Sequence, residues 1–482
     1  MSRTGFKRNL KPLEILTEDQ IQDMHRAILD VLWVTGVRIE NDWALKFFKQ
    51  HGCRVDEDQL RVRFPAELVE ECVRQAPASY RVKAPDPAND LLVGGETLYY
   101  SHSSGMETID LDTFEPRPPT KAEYIDCIRV LDALPHLDHL GCYPYFGYEG
   151  ISSAMAIPEG VALHMKYSTK HQAGCCSNDG EIFTIQMAQA VGHDLTGTIG
   201  SSPPLTWGSE AIMAAKRIVE AGFPLTTVDG CMMGGTGPAT IPGSVVVSSV
   251  EQMAMVVLVQ LLKPGHRLMV GHFSLPLNMN TGSPAFGQID ASLNNLIFNQ
   301  MWRFYQVPIS NGSPGYVSAK MIDYQAGYEK GMAGLASALS GVNSMLLHFG
   351  VSSELTAHPV QAVLDDDIAG MIGRFVTGEV ISEETIALEL IKEVGPIPGH
   401  YLGQAHTRQW WQKEQFVPRS ADRLTYPEWL QKDKKQALDY ARDRVEAILA
   451  EPEQTYLTPS QAADVERILQ EARTYYQKRE GG

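Results

Sequence analysis

PLTTVDGCM (residues 224–232) and RLMVGHFSL (residues 267–275) are short apolar runs that end in polar or small residues, and between them lies the helical stretch VVSSVEQMAMVVLVQLLKPG, closed by Gly265. A strand, a glycine-capped helix and a second strand of the same kind form one βα repeat of a parallel sheet. The rhythm recurs in HLGCYPYFG from His139, HQAGCCSND from His171, TGTIGSSPP from Thr196, VPISNGSPG from Val307 and SMLLHFGVS from Ser344. The helix SEAIMAAKRIVEAG (209–222) again stops at glycine. Seven strands at this spacing call for an eighth, expected near residues 97–102 or 400–404. Eight repeats closed on themselves make an α/β protein of the TIM-type (β/α)8 barrel class. The competing open doubly wound sheet needs a GxGxxG loop in its first βα turn, and the sequence has none.

The flanks read differently. Residues 1–120 are expected to form helices and small hairpins packed on the barrel, 121–375 its main part, and 376–482 the last barrel elements and a helical tail. In TEDQIQDMHRAILDVLWVTG, residues Ile21, Met24, Ile28, Leu32 and Trp33 share one helical face, with Thr17 as cap and Gln20 three residues on. Two late segments, within 429–452 and 457–480, are amphipathic helices.

Composition narrows the class of function. A hydrophobic share of 44% and a charged share of 21% over 482 residues are those of an ordinary globular chain with a large core. The net charge of -17 disfavours nucleic acid and anionic membranes, whose phosphates need clustered Lys and Arg. The start lacks a signal-peptide core, and no apolar run reads as long enough for a membrane span, so the expected location is cytoplasmic. The seven cysteines, Cys53, Cys72, Cys127, Cys142, Cys175, Cys176 and Cys231, show no CxxC spacing and read as reduced thiols. No HExxH-type cluster appears, and no protein-bound metal is expected.

In such a barrel the site lies at the carboxyl ends of the strands. The residues there include Tyr143, Tyr145, Cys175, Asp229, His272, Ser310, Asn311, His348 and Phe349, without a Lys or Arg among them. Rings and acids without cations suit a positively charged small molecule. Tyr145 and Phe146 read more readily as barrel packing than as cage walls, and each histidine equally as a structural hydrogen-bonding group. The loop GGTGPATIPG (234–243) resembles no phosphate-binding motif, and its glycines are expected to pass close to something large at the mouth. LDDD (364–367) reads as a solvated helix start.

Long ordered stretches carry a resemblance: HRAILDVLWVTGVRIENDWALKFFKQHGCRVDEDQLRVRFPAELVEECVRQAP near the start, then DLDTFEPRPPTKAEY, SPPL, GGTGPATIPGSV, AKMIDYQAGYEKG and GHYLGQAHTRQWWQKEQFVPRSADRLTYPEWL. Together they resemble the trimethylamine methyltransferase family, in its branch lacking pyrrolysine. The resemblance implies methyl transfer from a methylated amine to the Co(I) form of a corrinoid (cobalamin) on a separate partner protein. Pyrrolysine, which lies in or near the turn of SNGSPGYVSAKMIDYQAGYEK (310–330) in relatives, has only ordinary residues in its place here. A quaternary amine needs no such help, because it is already cationic and leaves as a neutral tertiary amine. The likeness is to the glycine betaine branch, with proline betaine, carnitine, choline, γ-butyrobetaine or a non-catalytic betaine-binding role as alternatives. On that reading His348 would hold the substrate carboxylate, and His272 and Asn311 are further donors. Tyr100, Tyr145, Trp207 and Phe349 would form the cage, and Asp229 would face the ammonium. Asp323, Gln325 and Glu329 would brace the turn. Trp410, Trp411, Arg419 and Arg423 would either frame docking of the corrinoid protein or pack internally. Self-association into a homo-oligomer is a further expectation by analogy.

Overall fold

The run TLYYSH, Thr97–His102, forms the strand that closes the barrel. The computed structural model describes residues 5–480. Its central sheet has eight parallel strands: β1 (Thr97–His102), β2 (His139–Leu140), β3 (His171–Cys175), β4 (Leu195–Gly200), β5 (Leu225–Val228), β6 (Leu268–His272), β7 (Ile309–Asn311) and β8 (Ser344–His348). Each pairs with the next, and β8 returns to β1 through Ser344 opposite Tyr99 and Leu346 opposite Ser101. The eight helices that follow the strands are α1 (Lys121–Ala133), α2 (Ala156–Tyr167), α3 (Gly180–Val191), α4 (Ser209–Ala221), α5 (Ile241–Leu262), α6 (Ile289–Phe304), α7 (Tyr324–Leu339) and α8 (Pro359–Thr377). The chain is thus a (β/α)8 barrel, with its eighth strand at the first of the two expected places.

Side chains alternate across each strand. Ser101, Ala173, Thr226 and Leu346 face the axis and border its cavity, whereas Tyr100, Leu140, Met345 and Leu347 are buried on the outer side. Below the axis, the hairpin Ser79–Val82 with Leu91–Gly94 brings Tyr80, Val82, Leu91 and Val93 against Tyr99 and Met269, and this cluster forms the barrel floor. Helix Glu18–Asp30 has the expected Thr17–Gln20 capping box, and Ile21, Met24, Ile28 and Leu32 are buried. Trp33 instead lies on the exposed side, because the helix widens into a π turn at Val31–Thr35 and shifts the face.

Three expectations need correction. Helix α5 is long and apolar enough to cross a membrane by length and composition, but it lies against α6 and the helices Glu18–Asp30 and Ala66–Gln75, which bury most of its surface. The LDDD run is no solvated helix start. It lies inside α8, where Asp365 meets Lys330, Asp366 accepts from the His136 backbone, and Asp367 accepts from the N–H groups of Arg419 and Ser420. The seven cysteines are not all free: Cys142 and Cys175 form a disulfide between the neighbouring ends of β2 and β3. A separation of 33 residues conceals a pair whose Cα atoms stand 5.1 Å apart once two parallel strands lie side by side.

Beyond α8, the chain makes an arm of four short helices, Glu383–Ile386, Leu388–Val394, Ala405–Glu414 and Tyr426–Gln431, none with a buried residue. Helix Ala437–Ala450 then packs on α8 and α1, and Pro459–Glu480 on α3 and α2. Among the described residues, no barrel strand follows residue 376.

Thiol titration of the denatured, unreduced protein is expected to find five free cysteines, Cys53, Cys72, Cys127, Cys176 and Cys231. Reduction is expected to lower stability by about 3–4 kcal/mol, the chain-entropy value for a loop of this length.

Candidate functional site

A cavity of about 310 Å3 runs along the barrel axis from the hairpin floor to the carboxyl ends of the strands. Its inner part is mostly apolar. His139 and His171 also line it, with Nε2 atoms 2.9 Å from Ser344 Oγ and 2.8 Å from Thr196 Oγ1. Burial pushes these imidazoles down to about 4 and about 3, so both are uncharged at neutral pH.

The mouth has a different character. Tyr143, in the loop after β2, Phe273, after β6, and Tyr316, after β7, line it together with Glu354. The rings of Phe273 and Tyr316 lie 5.4 Å apart, and Phe286 supports both at 5.9 and 5.6 Å. Tyr316 is fixed at its hydroxyl, which accepts from the Ser104 N–H at 3.2 Å. Glu354 sits at the rim, open to solvent on one side, and partial desolvation raises its carboxyl above the ordinary value. Its charge reaches Tyr143, whose phenol is pushed up to about 12, chiefly by burial. Among the described residues, no Lys or Arg borders the cavity, and Glu354 is its sole carboxylate. Three rings and a carboxylate, without a competing cation, are groups whose chemistry suits a small organic cation.

Two of the four loops that carry this cage, those after β7 and β8, are joined by one buried ion pair. Lys330, on α7, donates at 3.0 Å to Gly315 O, next to Tyr316, and at 2.7 Å to Leu347 O on β8. Its third partner is Asp365 Oδ2 at 2.9 Å, and the same oxygen accepts from Phe349 N–H at 2.8 Å. Burial pulls the Lys330 pKa down and Asp365 opposes that shift. Phe349 has φ +92°, a costly conformation for a bulky residue, and the Asp365 bond holds it there. The chain then turns through Ser352 and Ser353, both also at positive φ, and delivers Glu354 to the rim beside Met106. Asp323 caps α7, while Glu329 accepts from Ser318 N–H at 2.7 Å and from the Gln325 amide at 2.7 Å. These bonds tie the segment following Tyr316 to α7.

The eight expected binding residues lie largely elsewhere. Tyr100 is on the outer side of β1, its ring 6.2 Å from that of His348. His348 is fully buried, with Nε2 3.5 Å from Asp366 Oδ1. Tyr145 packs on Phe349 at 5.2 Å and donates to Thr108, and Trp207 donates to Glu251 O. Asn311 exchanges amide bonds with Asn299. His272 alone among them borders the cavity, and its ring turns outward, stacked 3.9 Å from Phe298. Asp229 bonds that ring through Nδ1 at 2.7 Å and accepts Phe273 N–H at 2.8 Å. Asp229 and His272 thus hold the strand end that presents Phe273, without touching the cavity through their own polar atoms.

The missed residues are Phe273, Tyr316 and Glu354, with Tyr143 noted only as a strand-end residue. Each is in a loop or one step of the alternation away from a residue that was chosen. The close approach in the glycine loop is also local: a Cβ on Gly237 would lie 2.3 Å from Cys231 Sγ.

The trimethylamine methyltransferase (MTTB) family model matches residues 2–479. The chain belongs to that family. A glycine betaine methyltransferase of Desulfitobacterium hafniense (strain Y51) is 30% identical over 479 residues, covering 96% of each chain. A trimethylamine methyltransferase MttB of Desulfitobacterium hafniense (strain DSM 10664 / DCB-2) is 26% identical, covering 95% of this chain and 94% of its own. The crystal structure of the Methanosarcina barkeri monomethylamine methyltransferase (MtmB) superposes with a TM-score of 0.54 at 12% identity, over 91% of this chain and 89% of that one. At that identity it shares the fold.

Replacing Lys330 by Met leaves the Asp365 charge buried and unpaired, and is expected to cost about 3–5 kcal/mol of stability. Lys330→Met with Asp365→Asn should regain part of that loss. It should still bind an organic cation more weakly than the unaltered chain, as calorimetry with tetramethylammonium will read.

Proposed function

We propose that this chain takes a methyl group from a quaternary amine and presents it to the Co(I) form of a corrinoid held by a partner protein. The mouth carries the reading: Tyr143, Phe273, Tyr316 and Glu354 surround the entrance of a cavity that no Lys or Arg borders among the described residues. A tetraalkylammonium has no N–H to donate, so rings and a nearby carboxylate are the groups that stabilise it. The cage lies at the open end of the barrel, where a methyl group on the bound cation faces an acceptor approaching from outside.

The chemistry asks little else of these residues. The corrinoid, when bound, supplies the nucleophile. The C–N bond breaks with its electron pair left on nitrogen, the donor departs as a neutral tertiary amine, and no proton moves. The protein's part is orientation of the C–N bond and exclusion of water, an effect of proximity rather than of acid or base. Glu354 stabilises the bound cation, and the phenols of Tyr143 and Tyr316 remain protonated and therefore poor methyl acceptors.

Glycine betaine is the donor to which the name of the 30% identical relative points. Its carboxylate would turn inward, toward the hydroxyls of Ser310 and Ser344 and the neutral imidazoles of His139 and His171. A cationic partner is missing from that wall, so hydrogen bonds alone would hold the carboxylate.

Incubation with Co(I) cobalamin and, separately, glycine betaine, proline betaine, carnitine, choline and trimethylamine is expected to give the demethylated product from one of the quaternary amines. Turnover of trimethylamine alone would overturn the proposal, and binding without turnover would favour a betaine-binding role. Glu354→Gln is expected to weaken cation binding about twofold to fivefold, the range for one lost charge contact at an exposed site. The sign of the pH effect follows from the raised Glu354 carboxyl. Affinity for a quaternary ammonium is full when Glu354 is ionised and falls as pH drops through its pKa, which lies above the usual glutamate value; Glu354→Gln should flatten that profile.

A further inference from the structure

The inner part of the axial cavity holds polar atoms that no protein group satisfies. Ser101 Oγ on β1 is fully buried without a hydrogen-bond partner, and so is His102 Nε2. Both residues border the cavity. Ser101 stands opposite His139 on β2, and His139 opposite His171 on β3. His139 Nε2 reaches past β1 to Ser344 Oγ at 2.9 Å, so an imidazole and two hydroxyls share one stretch of wall. Buried polar atoms left unpaired cost free energy until a ligand or water completes them.

This wall lies inward of the mouth, and among the described residues no Lys or Arg borders the cavity at either level. A donor held by its ammonium at the mouth and carrying a carboxylate inward would place an anion in a mostly apolar space. Hydroxyls alone offset only part of that desolvation, because the charge stays unpaired. Three imidazoles stand on the wall. His102 is fixed through Nδ1 to Ser103 O, and His171 through Nε2 to Thr196. His139 lies between them, beside Ser101 and bonded to Ser344, and burial lowers it to about 4, against about 3 for the other two.

We propose that His139 takes up a proton when a quaternary amine bearing a carboxylate enters the cavity, and so supplies the counter-charge that the empty site lacks. The inference rests on the cation cage proposed at the mouth. The proton comes from solvent and sits on Nε2, which then donates to Ser344 Oγ. The Ser344 hydroxyl proton is thereby free to turn toward the carboxylate. On release of the product the proton returns to solvent, and the methyl transfer itself still moves none. The groups around His139 permit this. His102 and His171, the latter with its ring 6.3 Å from that of His139, are both neutral. Tyr80 and Tyr99 on the floor are kept protonated by burial. Asp138 points outward to the N–H groups of Gly5 and Tyr100, Lys170 to the carbonyls of Leu131 and Leu134, and Asp194 is paired with Arg267. Repulsion between like charges limits the wall to one added proton.

An imidazole whose pKa rises on binding adds affinity that is full below the raised value and is lost as pH climbs through it. Glu354 acts with the opposite sign and on every cation, so a comparison between ligands isolates His139. The test is calorimetry of the full chain with tetramethylammonium, choline, glycine betaine and γ-butyrobetaine, each in two buffers of different ionisation enthalpy, which reads the protons exchanged. Relative to tetramethylammonium, a carboxylated ligand is expected to take up as much as one further proton near pH 5 and none at pH 8, whereas choline takes up none at either. The affinity ratio of carboxylated ligand to tetramethylammonium should rise about twofold to a hundredfold from pH 8 to pH 5, since a nearby opposite charge moves a titrating group by about 1–3 pH units. His139→Gln can still bond Ser344 but cannot hold the charge. It should abolish the further proton and flatten the ratio, with tetramethylammonium binding as the check that the variant is folded. Nitrogen-15 spectra of the unaltered chain should show an imidazolium at His139 only with a carboxylated ligand. Equal proton exchange for all four ligands overturns the proposal, as does a further proton that persists in His139→Gln. Binding of tetramethylammonium with rejection of both carboxylated ligands overturns it and leaves the cage standing. Failure of every ligand to bind overturns the cage, and this inference with it.

Discussion

Closure of the barrel through the pairing of β8 with β1 is the constraint on which the remaining structure depends. Ser344 meets Tyr99 and Leu346 meets Ser101, and with these pairs in place no parallel strand is left as an edge. Closure also fixes which side of every strand faces the axis. Ser101, His171, Thr226 and Leu346 then line one cavity, and Tyr100, Met345 and Leu347 are committed to the contact with the helices. A register shift of one residue at that seam would exchange the two sets. It would drive Tyr100 into the axis and turn Ser101 toward the helices.

Upon this frame the mouth is built from loops, and loops need their own supports. Phe273 is held by Asp229, Tyr316 by Ser104 and by Lys330 through Gly315, and Glu354 by the loop that begins at Phe349. Most of the supporting groups are buried, charged or both. Burying Lys330 with Asp365 has a desolvation cost that a hydrophobic pair would avoid. What the ion pair supplies instead is direction: three N–H donors on one ammonium reach the loop after β7, strand β8 and a carboxylate at once. The positive φ at Phe349 is tolerated because that network holds it. A cation cage made of rings from separate loops depends on such ties, since ring–cation attraction falls off quickly with distance.

The parts of this architecture that were readable in sequence are those governed by local rules. Glycine at the end of α4, a capping box at Thr17, and apolar runs ending in polar residues are each properties of adjacent residues. Seven strand positions followed from them, whereas the eighth was left between residues 97–102 and 400–404 until the structure took Thr97–His102. The cage was less legible. Tyr145 and Tyr143 are two residues apart beyond β2, and Tyr100 and Ser101 are neighbours on β1. Nothing in composition distinguishes the member that lines the cavity. Glu354 and Tyr316 have no periodic pattern around them, because they stand in irregular loops whose paths are set by Lys330 and Asp365. The disulfide between Cys142 and Cys175 escaped notice for a related reason, as contact between parallel neighbours leaves no short spacing in the chain.

By itself, then, the sequence determined the repeating βα units, their number, the absence of cations from the strand ends, and the family likeness. Each arises from the chemistry of consecutive residues or from long collinear similarity. Tertiary structure alone decided which rings meet at the mouth, that Glu354 rather than Asp229 supplies the carboxylate there, and that the three aspartates of α8 are buried ties. These outcomes depend on the facing of each strand and on bonds between residues such as Lys330 and Gly315, or Asp229 and Phe273. Such bonds exist only after the barrel has closed, because closure brings the loops of separate βα units to one end.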